Sequence, residues 1–313
     1  MNEELIISGR NNMAVDPHLQ IWQWPIPLYL FLGGLAAGIL FFAALYYIMG
    51  KEKEYPTAVR KVPFIAPILL IIGLAALFFD LRHKAYFWQL YTTIRLQSPM
   101  SWGAWTLLVI TAASVIWSAL HIRDIFPKWD WKYQWIRDIE TFFNKYKKVL
   151  AWVILIYAVI TGIYTGILLS AFNARPLWNT SVLGPLFLAS GLSAGAASIV
   201  LMSKNPKERL MFTKIDLVIL GVELFLIVHM FMGFVASTQV QIDAAELFLG
   251  GQYTMAFWIF VVFLGIAVPA ALDIMELRGY HVPAILPGVL VLFGSLMFRF
   301  VFVFAGQVSR WLY

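Results

Sequence analysis

The chain has 313 residues, of which 61% are hydrophobic and 13% are charged, and its net charge is +6. Soluble domains carry about 25% charged residues, so this composition excludes an ordinary soluble protein. The absence of cysteine excludes an iron–sulfur cluster held by the chain's own thiolates. Only one of the five histidines lies well inside an apolar stretch, so the chain also lacks the facing histidines that a haem would need.

Eight charge-free runs follow one another along the chain, each long enough to form a helix that crosses about 30 Å of hydrocarbon. They lie between residues 16 and 51, 61 and 80, 95 and 123, 148 and 175, 175 and 204, 223 and 243, 246 and 273, and 278 and 299. We expect the sixth helix to begin earlier, near Ile215, and to contain Asp216 and Glu223. The sequence therefore predicts an all-α integral membrane fold with eight transmembrane helices.

Lysine and arginine are concentrated in alternate connections between these helices. The segments 51–61, 122–148, 204–214 and 275–282 hold four, seven, four and one of them, and the opposite connections hold far fewer. Because basic loops stay in the cytoplasm, this pattern predicts that both termini, including the tail 1–16, lie in the periplasm of a bacterium. The alternation also explains the positive charge without a nucleic-acid partner, and it predicts the bacterial inner membrane as the location.

The longest basic segment, between the third and fourth helices, is also rich in aromatic residues. These are Trp129, Trp131, Tyr133, Trp135, Phe142 and Phe143. Basic and aromatic residues together are typical of an amphipathic segment that lies in the headgroup region and contacts membrane lipid.

A short glycine pattern occurs twice. The segment 34–38 in the first helix reads GLAAG, and the segment 191–195 in the fifth helix reads GLSAG. An internal repeat would explain the match, with two four-helix bundles of the same orientation at residues 17–171 and 172–313. Small residues four apart also recur in membrane helices because they let two backbones approach closely, so both explanations stay open.

Ionisable residues inside membrane helices are candidates for function because burying a charge in hydrocarbon costs several kcal/mol. Asp216 and Glu223 are seven residues apart, so they share one face of the sixth helix, about 10 Å apart along its axis. Arg299 lies in the eighth helix. Two interpretations stay open: a proton path through these residues, or a structural ion pair between Glu223 and Arg299.

Three further ionisable residues are less informative. His229 is six residues beyond Glu223 and therefore lies about 120° further around the sixth helix. It is either a further proton-path or quinone-bonding residue or an ordinary packing histidine. Asp273 and Glu276, near the end of the seventh helix, are expected to be ordinary helix-end residues.

Polar side chains are concentrated at the predicted outer ends of the first four helices. They are His18, Tyr29, Asp80, Arg82, His83, Ser98, Trp102 and Arg175. Such an edge offers aromatic and apolar surface, hydrogen-bond donors, and histidines that exchange protons near pH 7, which together suit a quinone. An interfacial belt of aromatic and snorkelling basic residues has the same composition, and composition alone favours that explanation.

Several short motifs lie in order along the chain, mostly at predicted helix ends. They are Trp24-Pro25-Ile26-Pro27 before the first glycine pattern, Asp80-Leu81-Arg82, Ser98-Pro99-Met100-Ser101-Trp102-Gly103, Arg175-Pro176-Leu177-Trp178, and Leu286-Pro287-Gly288 through Arg299 to Ala305-Gly306-Gln307. Together they resemble the NrfD family, the membrane subunits of polysulfide reductase and its relatives. The resemblance runs from about residue 17 to 308, nearly the whole chain.

This resemblance implies a haem-free membrane subunit, without an iron–sulfur cluster of its own, that exchanges electrons with menaquinone or ubiquinone on the periplasmic side. It implies a ferredoxin-like partner subunit with several iron–sulfur cubanes and a molybdopterin catalytic subunit beyond it. The quinone site is expected at the outer end of the first bundle. Asp80 and His83 are then the expected catalytic groups, and the expected binding residues are His18, Tyr29, Arg82, Ser98, Trp102 and Arg175.

The sequence departs from the family pattern at two places. A proline that often follows the family's Asp-Leu segment is missing after Asp80, and Tyr29 stands where some members have histidine. The donor to the quinone oxygen therefore stays open, with His18 and His83 as substitutes. A secondary transporter and a silent membrane anchor are the alternative functions, because transporters also combine repeats with charges at mid-membrane.

Overall fold

The computed structural model describes residues 22–310, and in that range the chain forms helices and connections without strands. Eight of these helices are long and apolar enough to cross a bilayer, which confirms the predicted number. They are α1 (Pro25–Ile48), α2 (Thr57–Asp80), α3 (Pro99–Leu120), α4 (Lys147–Ser170), α5 (Leu183–Met202), α6 (Pro206–Val235), α7 (Ala256–Leu277) and α8 (Ile285–Val308). Shorter helices lie in the connections, at Lys84–Tyr86, Gln89–Thr92, Ile122–Ile125, Gln134–Lys145 and Gln239–Leu249.

The predicted start of the sixth helix is wrong. α6 begins at Pro206 rather than near Ile215, and Asn205 caps it, because its side-chain oxygen accepts a hydrogen bond from the Lys207 amide. Proline suits the first position of a helix, where its missing N–H would have no partner. The apolar run predicts only the part of α6 that suits hydrocarbon. The cap at Asn205 and the proline at 206 place the start of the helix earlier, within the basic stretch 204–214.

The first turns of α2 depart from regular α winding. They form a π-helix at Thr57–Lys61 and a 3₁₀ turn at Val62–Phe64. The amide of Ala58 in this region donates to the carboxylate of Glu208 in α6, at 2.8 Å, and Glu208 is fully buried. A carboxylate at a helix N-terminus satisfies an amide that has no partner within the helix and complements the helix dipole.

α1 and α5 are the most buried of the eight helices, and each contacts the other along its length. α1 also contacts α2, α4 and α8, and α5 also contacts α4, α6 and α8. The pair α1 and α5 therefore joins the first four helices to the last four.

The two glycine segments, 34–38 and 191–195, pack against each other at this α1–α5 contact. A Cβ atom at Gly38 would overlap with the carbonyl oxygen of Gly191 and lie 3.2 Å from the Cα of Gly195. A Cβ at Gly191 would lie 2.8 Å from the carbonyl oxygen of Gly34. The glycines thus provide the close backbone approach that small residues allow in membrane helices. The internal repeat stays a prediction.

An ion cluster holds the lysine-rich ends of α1 to α4 together. Glu52, in the α1–α2 connection, lies 3.1 Å from Nε of Arg60, 3.5 Å from Nε2 of His121 and 3.6 Å from Nζ of Lys147. Burial alone raises the pKa of Glu52, but the charges of Lys147, Arg60 and His121 outweigh it and hold that pKa below its ordinary value. Burial, together with the charge of Lys147, lowers the pKa of His121.

Acidification is expected to destabilise this end of the protein. The pKa values of Glu52 and His121 are both lower in the folded chain than in the unfolded chain. The unfolded chain therefore binds more protons, and stability falls as the pH drops below the 6.5 of a free histidine. We expect the thermal midpoint of His121→Gln in detergent to fall less than that of wild type between about pH 7 and pH 5. The exposed His229→Gln is the control, and equal falls in His121→Gln and wild type would contradict the assignment.

The α1–α5 contact predicts opposite effects for two glycine substitutions in one helix. Gly38→Ala places a methyl group against the backbone of α5 and is expected to cost about 1–3 kcal/mol of unfolding free energy, because the helices must separate. Gly33→Ala, where no atom lies within 4 Å of the added Cβ, is expected to be neutral or to stabilise by up to about 1 kcal/mol through helix propensity. Denaturant titration of the two purified variants compares them, and equal midpoints would contradict the close contact.

Candidate functional site

The connection after α2, residues 81–98, folds back onto the start of α3. The indole Nε1 of Trp102 donates to the carbonyl oxygen of Leu96 at 2.7 Å. The backbone amide of Arg95 donates to Oγ of Ser101 at 3.2 Å. These two bonds attach the end of the connection to the first turn of α3 and give the connection a defined shape.

A cavity of about 500 Å³, which we call the loop cavity, lies between this connection and α3. Tyrosine, phenylalanine, leucine and methionine side chains form part of its wall, and its polar lining residues are Arg82, His83, Gln89, Thr93, Arg95, Ser98 and Ser101. Guanidinium groups, hydroxyls and an imidazole are donors for the oxygen atoms of a ligand. The loop cavity therefore suits a carbonyl-bearing or anionic ring.

An apolar slot adjoins the loop cavity. This α3–α4 slot has a volume of about 380 Å³ and is lined by Leu96, Trp102, Thr106, Ile160, Ile163 and Tyr164, among others. A further cavity of about 540 Å³ shares Ser101 with the loop cavity and Trp102 with the slot, so the three spaces are neighbours. A polar cavity beside an apolar slot has the form that a ligand with a polar ring and an apolar tail requires.

Two buried tyrosines lie beside these cavities. Tyr29 of α1 interacts electrostatically with Tyr164 of α4 and with Tyr91 of the 81–98 connection. Glycines make room for them: a Cβ at Gly103 in α3 would overlap with the Tyr164 ring, and a Cβ at Gly73 in α2 would lie 3.7 Å from the Tyr29 ring. Tyr91 and Tyr164 therefore lie within electrostatic range of Tyr29 at the predicted outer end.

Asp80 lies at the edge of this region. It is the last residue of α2, is partly exposed, and interacts with Lys84. Arg82 and His83, two and three residues further on, line the loop cavity. Asp80 is therefore close in the chain to several of the predicted site residues, while the loop cavity itself is lined by the residues that follow it.

Arg175 has a different environment from the other predicted residues. Its Nη1 donates to the carbonyl oxygen of Ser309, just after α8, at 3.0 Å. Trp178, in the same α4–α5 connection, stacks on Trp22 with ring centroids 5.2 Å apart. Arg175 therefore attaches the α4–α5 connection to the end of α8 and is not part of the loop cavity wall. His18 lies outside the described residues.

Arg299 is the centre of a second polar region, among the last four helices. It is fully buried, and its Nη1 donates to the hydroxyls of Ser190 at 2.5 Å and Ser295 at 2.6 Å. Its Nη2 donates to the carbonyl oxygen of Phe187 at 3.2 Å, and the guanidinium lies 5.2 Å from the centroid of the Phe187 ring. A Cβ at Gly34 in α1 would lie 3.1 Å from Nη2, so this glycine leaves room for the guanidinium.

Glu223 of α6 belongs to the same region. It is buried and lies within electrostatic reach of Arg299 and of the Ser190 side chain, but the two charged groups are too far apart for a direct salt bridge. Ser190 accepts a hydrogen bond from Arg299 and therefore lies near both opposite charges. The arrangement accommodates a serine-bridged ion pair, and it equally accommodates one end of a chain of titratable groups.

Two more carboxyl groups extend this region towards the lysine-rich end. Asp216 is buried, accepts a hydrogen bond from Oγ of Ser193 at 2.6 Å, and interacts electrostatically with Asp273 of α7. Asp273 is itself buried, which differs from our expectation of an ordinary helix-end residue. Glu276 accepts from Arg209 of α6 at 2.6 Å and is thus paired.

His229 lies on a different face of α6. It is exposed and stacks on Phe225, with ring centroids 6.0 Å apart and planes at 8°. This position agrees with the 120° offset from Glu223 that the spacing predicts. Within residues 22–310, no three His, Asp or Glu side chains come close enough to hold a metal ion.

Sequence reasoning missed Tyr164 and Ser190, and it did not predict that Asp273 is buried. Tyr164 stands in an apolar run, but Thr161 and Thr165 share its helix and are buried with it, and this polar stripe was the available signal. Ser190 directly precedes the second glycine segment, where hydroxyls are typical of a helix contact in a membrane. The burial of Asp273 had no comparable signal, because it depends on how α7 packs against α6.

These features define a multi-pass helical membrane protein with a polar cavity and apolar slot at one end of α1 to α4 and a buried charged region among α5 to α8. The family model described as polysulphide reductase, NrfD, matches residues 12–309. The chain belongs to this family, as the sequence motifs predicted.

Individual relatives agree with this assignment. The chain is 31% identical to Protein NrfD of Escherichia coli K12 over 309 residues, which cover 92% of this chain and 96% of the relative. It is 30% identical to one of the polypeptides of polysulfide reductase from Wolinella succinogenes, over 92% of this chain and 94% of the relative. A tetrathionate reductase subunit from Salmonella typhimurium is 27% identical over 67% of this chain and 56% of the relative.

The linkage between Glu223 and Arg299 predicts non-additive effects on stability. Arg299→Met leaves the buried carboxylate without its cation and is expected to cost about 3–5 kcal/mol of unfolding free energy. Combining it with Glu223→Gln is expected to recover a large part of that loss, because no charge then remains unpaired. Denaturant titration of both single variants and the double variant measures the coupling.

The exposed Arg278→Met is the matched control, for which we expect a change of about 0.5 kcal/mol or less. Strictly additive losses in the double variant would show that the two charges act independently, contrary to this assignment.

Proposed function

We propose that this chain is the membrane subunit of a respiratory oxidoreductase complex and exchanges electrons between the quinone pool and a periplasmic iron–sulfur partner subunit. The polar loop cavity beside the apolar slot is the observation that carries the proposal. Membership of the NrfD family supports it, and so do two relatives whose names describe them as parts of polysulfide and tetrathionate reductases. Because the chain has no cysteine, the iron–sulfur clusters belong to the partner, with a molybdopterin catalytic subunit beyond it.

The proposed topology has both termini in the periplasm of a bacterium and the chain in its inner membrane. The distribution of lysine and arginine supports this orientation. We further propose two four-helix bundles, α1 to α4 and α5 to α8, divided in the 171–182 connection. Within these bundles α1 contacts α2 and α4, and α5 contacts α6 and α8, while the α1–α5 and α4–α5 contacts join the two bundles.

Menaquinone or ubiquinone fits the loop cavity and the α3–α4 slot by the chemistry of their walls. The slot is apolar, as an isoprenoid tail requires, and the aromatic ring of Trp102 forms part of it. The loop cavity offers Arg82, Ser98 and His83 as donors to ring oxygens. Tyr29 lies behind this region, where it interacts with Tyr164, which borders the slot.

A bound quinone supplies two-electron, two-proton chemistry, and the chain's own residues exchange the protons. In this proposal Asp80 and His83 hold and release protons at the outer surface, since His83 is exposed there and Asp80 is partly exposed. Arg82 keeps the ring in place, and the indole of Trp102 fixes the connection through its bond to Leu96. Arg175 acts as a positioning residue through its bond to Ser309.

Proton translocation is a second candidate activity of the same subunit. The observation that favours it is the series Asp273, Asp216 and Glu223, which are all buried and lie within electrostatic reach of their neighbours. Ser190 and Arg299 extend the series towards α8. His229 faces away from it, so we leave His229 out of the proposed path.

Replacing Asp80 with asparagine tests the proposed proton exchange. Asp80→Asn keeps the size of the side chain but removes the proton acceptor, so quinol turnover by the whole complex is expected to fall by about 10²-fold or more. The complex itself is expected to assemble, since Asp80 is partly exposed and outside the cores of the helices. Turnover and co-purification of the partner subunits are measured on the same membranes.

Asp243→Asn is the matched control, because Asp243 lies on the same predicted side and accepts a hydrogen bond from Gln239 in its own short helix. Wild-type turnover in Asp80→Asn would refute the role of this carboxyl. Failure of a quinol analogue to protect the loop cavity from modification would favour a silent anchor, and substrate flux across vesicles without redox turnover would favour a transporter.

A further inference from the structure

An apolar groove lies at the lysine-rich end of α3 and α4, away from the loop cavity. This inner groove has a volume of about 540 Å³ and is formed by α3, α4 and the helix Gln134–Lys145. Its lining includes Leu108, Ala112 and Ile116 of α3, Phe142 of the short helix, and Val149 and Val153 of α4. It is separate from both polar regions described above.

The inner groove runs parallel to the helices and opens towards the surrounding bilayer. Leu108 and Ile116 mark its extent on α3, and eight residues of helix correspond to about 12 Å. Leu108, Phe142 and Val149 are all exposed, so the groove is an open channel on the surface rather than a closed cavity. A channel of this direction and composition matches part of an extended acyl chain.

Two exposed lysines adjoin residues that line the inner groove. Nζ of Lys145 lies 5.7 Å from the centroid of the Tyr146 ring, and Lys148 directly precedes Val149 in the sequence. Lys147, between them, points elsewhere and pairs with Glu52. Among the residues that the structure describes, neither Lys145 nor Lys148 forms an ion pair with a carboxylate. Their charges are therefore available to an anion outside the protein.

The helix Gln134–Lys145 places these lysines at the level of lipid headgroups. Trp135, Ile139 and Phe142 are exposed and spaced four and three residues apart, so they form one apolar stripe. The charged residues of this helix, Arg137, Asp138, Glu140 and Lys145, lie away from that stripe, as in a helix that lies in the membrane interface. The amphipathic segment predicted from the sequence thus brings together an apolar groove and two lysines that have no carboxylate partner among the described residues.

We propose that the inner groove is a binding site for an anionic glycerophospholipid. One acyl chain occupies the groove along α3 and α4, and the headgroup phosphate is bound by Lys145 and Lys148. The charge complementarity favours a lipid over a second copy of this chain, whose own basic segment would face these lysines with like charge. Bound lipid would attach the short helix to α3 and α4.

Titration of the purified full chain with lipid tests the proposal. Native mass spectrometry in detergent compares dioleoyl phosphatidylglycerol with dioleoyl phosphatidylcholine. We expect the wild-type protein to bind the anionic lipid more tightly, and Lys145→Gln combined with Lys148→Gln to weaken that binding by on the order of thirtyfold, about fivefold per lysine. Added salt is expected to reduce the preference of the wild-type protein in the same direction.

Lys204→Gln combined with Lys207→Gln is the matched control, because both lysines are exposed on the same lysine-rich side but distant in sequence from the groove. Ala112→Phe fills the groove while keeping both lysines, and is expected to weaken binding of both lipids. Equal affinity of the Lys145/Lys148 variant and wild type would overturn the proposal. An equal loss of affinity for the anionic lipid in the Lys204/Lys207 control would also overturn it. So would a lipid-free dimer in which a second copy of the chain occupies the groove.

Discussion

The close approach of α1 and α5 is the constraint on which the rest of the structure depends. In a bilayer the hydrophobic effect does not drive helices together, so association relies on tight packing and on hydrogen bonds between helices. Gly38, Gly191 and Gly195 supply that packing, because their backbones occupy the space that side chains would need. The contact joins the first four helices to the last four, and it positions Ser190, the residue before Gly191, next to the buried charges.

Burial of Arg299 follows from this contact. A guanidinium in a low-dielectric interior needs acceptors for its donors, and two serine hydroxyls and two backbone carbonyls accept from the Nη atoms of Arg299, whereas its Nε has no partner among the described residues. Gly34 leaves the space into which the guanidinium fits. The same glycine pattern that packs the helices thus also makes room for the charge of Arg299. Ser190, which accepts a hydrogen bond from Arg299, also lies close to Glu223.

The two ends of the first four helices differ in their chemistry. One end has a cavity with guanidinium and imidazole groups beside an apolar slot, which suits a lipid-soluble ring that exchanges protons with water. The other end has an ion cluster around Glu52 and an amphipathic helix, Gln134–Lys145, beside it. The proposed quinone chemistry therefore belongs to one end of these helices, and the ion cluster and the amphipathic helix belong to the other.

The sequence by itself determined the class of the protein, the number of membrane helices and the family, because charge-free length and ordered motifs are local properties. It also predicted which residues are unusual, such as Asp216, Glu223 and Arg299, since any charge inside hydrocarbon stands out. The tertiary structure decided what each of them touches. Arg175 donates to the carbonyl oxygen of Ser309, Tyr164 lies within electrostatic range of Tyr29, and Asp273 is buried. All three contacts depend on which helix faces pack together. Periodicity within one helix contains no information about its neighbours, and only packing supplies it.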